Sequence, residues 1–323
     1  MTPMNKPICL HQSSCFRILA AGLILSVWSV SAPAQQNTSY SDPGMFPVSN
    51  METMALKDNL RDKDVSVRVY YPEGNGPFPV LAFSHSVRGN KDMFSVISNH
   101  WASHGYVVVH PQHDDEGVQM TDAGMHPPED KIRNRLRDIV SVFDSLDQIE
   151  SKIPAIAGKL DQDRLAVAGH SYGSFISMIS GGVSIDIGDT ANANIGDARV
   201  RCIISISPSG PGDYGMSEAS WQNLTTPALF FNGTDDLRAG RSDDWRMQPY
   251  QRSPNGDKYE VIIEGATHFS YGDDSDPVVP RFVKTASTAF WDACLHNAEE
   301  GKRFLREDGF SNFAGDAATI TYK

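Results

Sequence analysis

The pentapeptide Gly-His-Ser-Tyr-Gly at residues 169–173 follows a run of apolar residues and fits the pattern G-x-S-x-G. A serine hydroxyl is a weak nucleophile until a neighbouring base takes its proton, so the backbone must present it to such a base. A sharp turn from a strand into a helix does this, and the two glycines permit the turn because they lack a Cβ atom. The pattern predicts Ser171 as a nucleophile. A glycine-rich turn without a catalytic role is the alternative interpretation.

An acid and a base for this serine follow it along the chain. Asp236 lies three residues after Gly233, at the end of an apolar run, and His268 follows a strand predicted over residues 259–263. In such a set the imidazole accepts the serine proton, while the carboxylate fixes the tautomer and stabilises the imidazolium. We predict Asp236 as the acid, because a spacing of three residues leaves room for a turn towards His268, the predicted base.

Other residues compete for these roles. Asp235 precedes Asp236 in the same loop and is the main alternative acid. Asp276 is a weaker rival, because it follows the histidine and breaks the order serine, acid, histidine. A lone histidine is usually a surface or core residue, but the position of His268 after a strand and after the acid favours the base.

Two backbone amides are predicted to bind the negative oxygen that forms when the serine attacks. One belongs to Tyr172, directly after the nucleophile. The other belongs to Val87, in the polar loop after a buried strand that begins near Pro79. Both residues would contribute their N–H groups rather than their side chains.

Strands and helices alternate along the chain, which predicts a mostly parallel sheet with helices on both faces. Helices are expected after Ser171 and around Trp291 as well as at 90–103 and 132–149. The predicted strands cover residues near 51–56, 65–71, 80–84, 106–109, 165–168, 200–206, 227–231 and 259–263. The predicted nucleophile, acid and base are therefore expected to converge at one edge of this sheet.

With these residues the chain resembles the secreted serine hydrolases around platelet-activating-factor acetylhydrolase and chlorophyllase, in the dienelactone-hydrolase-like branch of the α/β-hydrolases. The likeness extends over roughly residues 50–323 in family order. It is clearest in the segments VRVYYP (67–72), FSH (83–85), ASHGYVVV (102–109) and GHSYG (169–173).

The resemblance implies an α/β-hydrolase fold and the same roles: Ser171 as nucleophile, Asp236 as acid, His268 as base, and Val87 and Tyr172 as oxyanion amides. It also implies hydrolysis of carboxylic esters through an acyl-enzyme, with short-acyl esters expected and with neither cofactor nor metal. Polyester or lipid esters are one alternative. A non-catalytic binding protein on a hydrolase scaffold is another.

Two residues depart from the family pattern: Ser86 and Ser174 stand where the family usually has glycine. A serine at position 86 that cannot adopt the backbone angles of glycine would turn the Val87 amide away and slow the reaction without disturbing the fold. Dienelactone hydrolases proper have a cysteine at the nucleophile position, so Ser171 favours ordinary ester chemistry.

The N-terminal segment has the pattern of a secretory signal. Lys6 and Arg17 precede an apolar run over 18–28, and Ala-Pro-Ala at 32–34 fits a cleavage site. We predict a signal over 1–34 and a single domain over 35–323, secreted or periplasmic. The alternative of an uncleaved membrane anchor is disfavoured, because the apolar run is too short to span a bilayer comfortably.

The net charge of −12 disfavours nucleic acids and anionic membranes as partners. We expect a small-molecule or lipid-like ester as substrate, neutral or apolar, and no stable membrane insertion after signal cleavage. Cys202 and Cys294 lie outside the predicted signal. Packed thiols are the favoured interpretation for both, and one disulfide between them is the alternative.

Overall fold

The apolar runs that precede the candidate site residues form strands of one central sheet. A computed structural model describes residues 40–121, 124–272, 275 and 277–323. Within these residues the strands are β1 Val48–Asp58, β2 Lys63–Pro72, β3 Phe78–Ser84, β4 Val107–Pro111, β5 Met120–Thr121, β6 Gly124–Met125, β7 Leu160–His170, β8 Ile185–Ile187, β9 Thr190–Ala193, β10 Val200–Ile206, β11 Ala228–Gly233, β12 Lys258–Ile263 and β13 Ala318–Tyr322.

The helices of the described residues connect these strands. They are α1 Ser95–Ser103, α2 Glu129–Asp144, α3 Leu146–Lys152, α4 Tyr172–Ser180, α5 Gln248–Arg252, α6 Val278–Leu295, α7 Glu299–Arg306 and α8 Asp308–Ala314. Among them, none combines the length and the hydropathy that crossing a membrane requires.

The large sheet has the strand order β1-β2-β4-β3-β7-β10-β11-β12-β13. The six strands from β4 to β12 in this order are parallel, and antiparallel pairs join β1, β2 and β13 at the two ends. The carboxyl ends of β3, β7, β10, β11 and β12 therefore lie along one edge. The loops after these strands contain all of the predicted site residues.

Alternate residues of the central strands point to opposite faces, as the pleat of a strand requires. Val80 and Ala82 of β3 pack with α2 and α4 on one face, whereas Leu81 and Phe83 pack with α1 and α6 on the other. The predicted mostly parallel sheet with helices on both faces is confirmed.

Two helices differ from the sequence prediction. The helix expected over 90–103 begins at Ser95, because Phe94 adopts a left-handed backbone conformation with φ 62°. The helix expected over 132–149 is two helices, α2 and α3, separated at Ser145, where φ is −122° and ψ is 25°. The hydrophobic spacing alone does not reveal this break, because the apolar residues before and after Ser145 face the same sheet.

Cys202 in β10 and Cys294 in α6 form a disulfide, with Cα atoms 6.5 Å apart. The favoured expectation of two separate thiols is therefore wrong. The two residues are 92 positions apart in the sequence. Their pairing follows from the packing of α6 across β10, which no local pattern around either cysteine reveals.

The predicted signal over 1–34 lies outside the described residues, as do Asp273, Asp274 and Asp276. The chain divides into two units, residues 1–37 and 38–323. The boundary between signal and domain at residues 34 and 35 stays a prediction.

Glu260 is a buried acid on β12, where it accepts a hydrogen bond of 2.8 Å from Asn232 Nδ2 of β11. Burial raises the pKa of Glu260 from 4.5 to about 7, although the hydrogen bond opposes the shift. Between these two pH values the folded protein holds a proton that the unfolded chain releases. The free energy of unfolding should therefore fall as the pH rises from 4.5 to 7.

We expect Glu260→Gln to raise the free energy of unfolding at pH 8 by about 2 to 3 kcal/mol and to change it little at pH 4.5, because glutamine stays neutral. Urea unfolding at both pH values measures this. Glu264→Gln is the matched control, since Glu264 is exposed in the next loop. An equal effect of the Glu260 substitution at both pH values would contradict the argument.

Candidate active site

Ser171 lies in the turn between β7 and α4, with φ 58° and ψ −116°. This conformation is strained for a residue with a side chain. A Cβ atom on Gly169 would lie 2.1 Å from the carbonyl oxygen of Gly173, and one on Gly173 would lie 1.9 Å from that of Ser84. The turn therefore excludes side chains at both glycine positions, for the steric reason that the sequence pattern predicts.

The structure brings Ser171, His268 and Asp236 together at the carboxyl edge of the sheet. Ser171 Oγ donates a hydrogen bond of 2.9 Å to His268 Nε2. His268 Nδ1 donates one of 3.0 Å to Asp236 Oδ1. The histidine side chain is 26% exposed, whereas that of the aspartate is fully buried. The Ser171 hydroxyl thus contacts one ring nitrogen of a base, and an acid binds the other ring nitrogen.

Further donors hold the Asp236 carboxylate. Arg246 forms an ion pair with it, with Nε 2.9 Å from Oδ1, and the Tyr271 hydroxyl donates to Oδ2 at 3.0 Å. Burial alone would raise the pKa of Asp236, but the hydrogen bond from His268 and the charge of Arg246 lower it to about 2. The carboxylate is therefore ionised at neutral pH and can stabilise a positive imidazolium.

Sequence reasoning did not identify three residues that contact this set: Ser207, Arg246 and Tyr271. Ser207 Oγ lies 2.8 Å from His268 Nδ1. Arg246 also donates to the backbone carbonyls of Asp236 and Pro208. Ser207 could have been found from the sequence, because it directly follows β10 and β10 ends at the same edge of the sheet as the strands before Ser171 and Asp236. The other two residues stand in single 3-10 turns, Trp245–Met247 and Ser270–Gly272, without a recognisable motif.

The main alternative acid, Asp235, has an exposed side chain, and its backbone N–H donates to the carbonyl oxygen of Ala266. The carboxylate that contacts His268 is that of the next residue, Asp236. The geometry therefore favours Asp236 over its neighbour. The other rival, Asp276, lies outside the described residues.

The loop after β3 and the first turn of α4 border the same site. Val87 and Ser171 line one cleft, and Tyr172 is the first residue of α4. Ser86 does not occupy the left-handed region, and in this loop it is Arg88 that does, with φ 55°. The serine at position 86 therefore needs no glycine-like backbone angles.

The cleft in front of Ser171 has a volume of about 250 Å³. Its apolar walls include Val118 and Met125, from the region between β4 and α2. The other apolar side chains of the cleft are Val87, Tyr214, Trp245 and Phe269. Phe269, next to the candidate base, is 80% exposed. The cleft can hold a small, mainly apolar group against the serine.

A larger pocket of about 480 Å³ lies at the opposite edge of the sheet. Asp163, Arg201 and Asp257, at the amino ends of the parallel strands, line it together with Cys294. None of the predicted nucleophile, acid, base or oxyanion residues borders this pocket. We therefore associate the chemistry with the smaller cleft.

His110, within β4, and His113, just after it, contact buried protein groups. His110 Nε2 lies 2.7 Å from Ser98 Oγ. His113 Nδ1 donates to Asp138 Oδ2 at 2.9 Å, and its Nε2 lies 2.9 Å from Ser84 Oγ. Burial and the charge of Arg135 hold the pKa of His113 well below its usual range. These contacts account for both histidines as parts of the protein interior.

Comparisons with known proteins find sequence similarity to a chlorophyllase family, to cutinases and to platelet-activating factor acetylhydrolases. A chlorophyllase family model matches residues 37–194, which include Val87, Ser171 and Tyr172 and end before Asp236 and His268. The cutinase est2 of Thermobifida alba is 24% identical over 204 residues, covering 62% of this chain and 56% of that protein.

Two further relatives show the same level of similarity. A platelet-activating factor acetylhydrolase of Cavia porcellus is 22% identical over 232 residues, covering 61% of this chain and 48% of that protein. The cutinase cut1 of Thermobifida fusca is 21% identical over 286 residues, covering 85% of this chain and 77% of that protein. The chain spans about half the length of the cutinase est2 and of the acetylhydrolase.

Proposed function

Because this chain belongs to the α/β-hydrolases, in the group that includes chlorophyllases, cutinases and platelet-activating-factor acetylhydrolases, we propose that it is a serine hydrolase of carboxylic esters. The main support is the contact between Ser171 Oγ and His268 Nε2 at 2.9 Å, in a strained turn that opens into a cleft. Such a contact lets the imidazole accept the hydroxyl proton as the oxygen attacks a carbonyl carbon.

In the first half of the proposed reaction, Ser171 Oγ bonds to the ester carbonyl carbon and His268 takes its proton. The tetrahedral intermediate collapses, His268 protonates the departing alcohol, and the acyl group remains on the serine. In the second half, water gives a proton to His268 and attacks the acyl carbon; the bond from that carbon to Ser171 Oγ then breaks, which releases the acid, and His268 returns the proton to Ser171 Oγ. Asp236 stabilises the imidazolium in both halves, and no cofactor or metal takes part.

We assign the oxyanion site to the backbone amides of Val87 and Tyr172. Tyr172 N–H belongs to the first turn of α4, where a helix N-terminus favours negative charge. Val87 borders the cleft from the opposite loop. Each donor of this kind contributes about 3 to 4 kcal/mol to transition-state stabilisation.

The substrate that best fits the cleft is a neutral ester with a short acyl group. Ligand clefts that hold drug-sized molecules have volumes of about 300 to 1,000 Å³. The cleft of about 250 Å³ is smaller, and most of its walls are apolar. An ester of a polyester or lipid is the alternative, supported by the cutinase relatives and by the exposed ring of Phe269 at the cleft.

The proposal includes export of the protein. Residues 1–34 would be removed as a signal, and residues 35–323 would act outside the cytoplasm on a small-molecule or lipid-like ester. The net charge of −12 supports a substrate other than nucleic acid.

A series of p-nitrophenyl esters tests the proposed activity and its acyl preference. We expect kcat/KM to be highest for acetyl to butyryl esters and to fall about tenfold or more for dodecanoyl, because the cleft cannot enclose the longer chain. Initial rates for the purified protein without residues 1–34 measure this. A rate that rises with chain length would support the lipid or polyester alternative. Equally low rates for the wild type and Ser171→Ala would support a non-catalytic binding protein.

A further inference from the structure

Arg135 of α2 is a buried cation beside the loop that contains Val87. Its side chain is 1% exposed, and that of its ion-pair partner Asp115 is 7% exposed. Two bonds join the pair, Arg135 Nε to Asp115 Oδ1 at 2.8 Å and Nη2 to Oδ2 at 2.6 Å. A buried bidentate pair of this kind has a fixed geometry. The pair can therefore position whatever else it contacts.

Arg135 also donates to the backbone of this loop. Nη1 donates to the carbonyl oxygen of His85 at 2.6 Å, and Nη2 donates to that of Ser86 at 3.1 Å. The His85 side chain adds a second donor, since its Nδ1 lies 2.7 Å from the same Ser86 oxygen. Together with the backbone N–H of Gly89, which donates to the same oxygen at 3.0 Å, three groups thus hold the Ser86 carbonyl oxygen.

The orientation of that carbonyl decides the orientation of the Val87 amide. The carbonyl of Ser86 and the N–H of Val87 belong to one peptide unit. A trans peptide is planar, so its carbonyl oxygen and its N–H point in opposite directions. Because Arg135 and His85 bind the oxygen, the Val87 N–H must face away from them.

Asp115 holds the next peptide unit. Its Oδ2 accepts a hydrogen bond of 2.7 Å from the backbone N–H of Arg88, the residue with φ 55°. The two peptide units that flank the α-carbon of Val87 are therefore bound to the two members of one buried ion pair. A flip of the Ser86–Val87 peptide would break its bonds to Arg135 and His85, and the bond from Arg88 to Asp115 holds the peptide that follows.

The same guanidinium contacts the second proposed oxyanion residue. It lies over the ring of Tyr172, with 4.2 Å between its central carbon and the ring centroid. The His85 ring is also fixed, because its Nε2 accepts a hydrogen bond of 3.0 Å from the backbone N–H of His113. Because Nε2 accepts this bond, the proton of the neutral ring lies on Nδ1, and Nδ1 donates to the carbonyl oxygen of Ser86.

We propose that Arg135, together with Asp115, is a positioning residue that directs the Val87 amide into the oxyanion site. This inference rests on the proposed function. It explains how the loop functions with serine at position 86: the ion pair supplies the orientation, so no special backbone angles are needed there. The planar guanidinium bonds to Asp115, His85 and Ser86 at once, which the compact ammonium group of lysine cannot reproduce.

Arg135→Lys tests the proposal, because it keeps the charge and removes the planar set of donors. We expect kcat for a p-nitrophenyl ester to fall about 100-fold, as for a lost oxyanion donor, with KM within about threefold. The affinity for a phenylboronic acid, which forms a tetrahedral adduct on the serine, should fall in parallel with kcat/KM. Arg137→Lys is the matched control on the same helix, since Arg137 pairs with Asp58 away from the cleft, and it should keep wild-type kcat.

Asp115→Asn is the second variant, for the case that the Arg135 variant does not fold. It keeps the shape of the side chain and should lower kcat about tenfold, again with little change in KM. Wild-type kcat in folded Arg135→Lys or in Asp115→Asn, alongside inactive Ser171→Ala, would overturn the positioning role and leave the proposed function intact. An equal loss of kcat in Arg137→Lys would also overturn it. A wild-type protein that hydrolyses no ester would overturn both proposals.

Discussion

Replacing Ser171 with alanine is expected to lower kcat/KM for p-nitrophenyl butyrate by about 10⁴-fold or more. Alanine removes the oxygen that would bond to the acyl carbon, and His268 then has no hydroxyl from which to take a proton. The remaining rate would come from water and from the oxyanion amides, which still stabilise the transition state. Steady-state kinetics at neutral pH measure the effect, with a circular dichroism spectrum to show that the variant is folded.

Ser209→Ala is the matched control for this substitution. Ser209 also lines the cleft, and the proposed reaction assigns no role to its side chain. We expect its kcat/KM to stay within about threefold of the wild-type value. A Ser171→Ala variant that keeps more than a hundredth of the wild-type activity would show that another group is the nucleophile.

Replacing Asp236 with asparagine is expected to lower kcat by about 10⁴-fold at neutral pH. The amide keeps the size of the side chain and removes the negative charge that stabilises a positive His268. It also leaves a neutral group beside the buried guanidinium of Arg246, whose Nε forms an ion pair with the carboxylate at 2.9 Å in the native protein. The rate of acylation, followed as the burst of p-nitrophenol, should fall with kcat.

Asp235→Asn is the control that separates the two neighbouring aspartates. The side chain of Asp235 is exposed, so its change should alter kcat by less than about threefold. A large loss in Asp235→Asn with little loss in Asp236→Asn would reverse the assignment. The comparison thus tests the choice between the two acids, which the sequence alone leaves open.

The carboxyl edge of the sheet is predictable from the sequence because each site segment has a local signal. An apolar run followed by a polar loop marks the end of β3, β7, β11 and β12. Parallel strands bring these ends together, so the proximity of Ser171, Asp236 and His268 in the structure follows from the order of the elements. Their catalytic roles stay predictions until the variants are measured.

The contacts around the candidate site are not predictable in the same way. Arg246 and Tyr271 bind Asp236 through loops whose course depends on packing, and Arg135 reaches the loop after β3 from the interior of α2. On the sequence these residues resemble ordinary amphipathic or loop positions. The sequence favours separate thiols over the Cys202–Cys294 disulfide for a similar reason, since the pairing depends on how α6 crosses β10.

The central claim is that the Ser171 hydroxyl is activated by His268, and covalent labelling with a p-nitrophenyl phosphonate tests it most directly. We expect mass spectrometry of the digested protein to locate the phosphonyl group on Ser171, with labelling slowed by about 10³-fold or more in His268→Ala and absent in the unfolded chain. A label on another residue would contradict the claim. So would labelling of Ser171 at the same rate with and without the histidine.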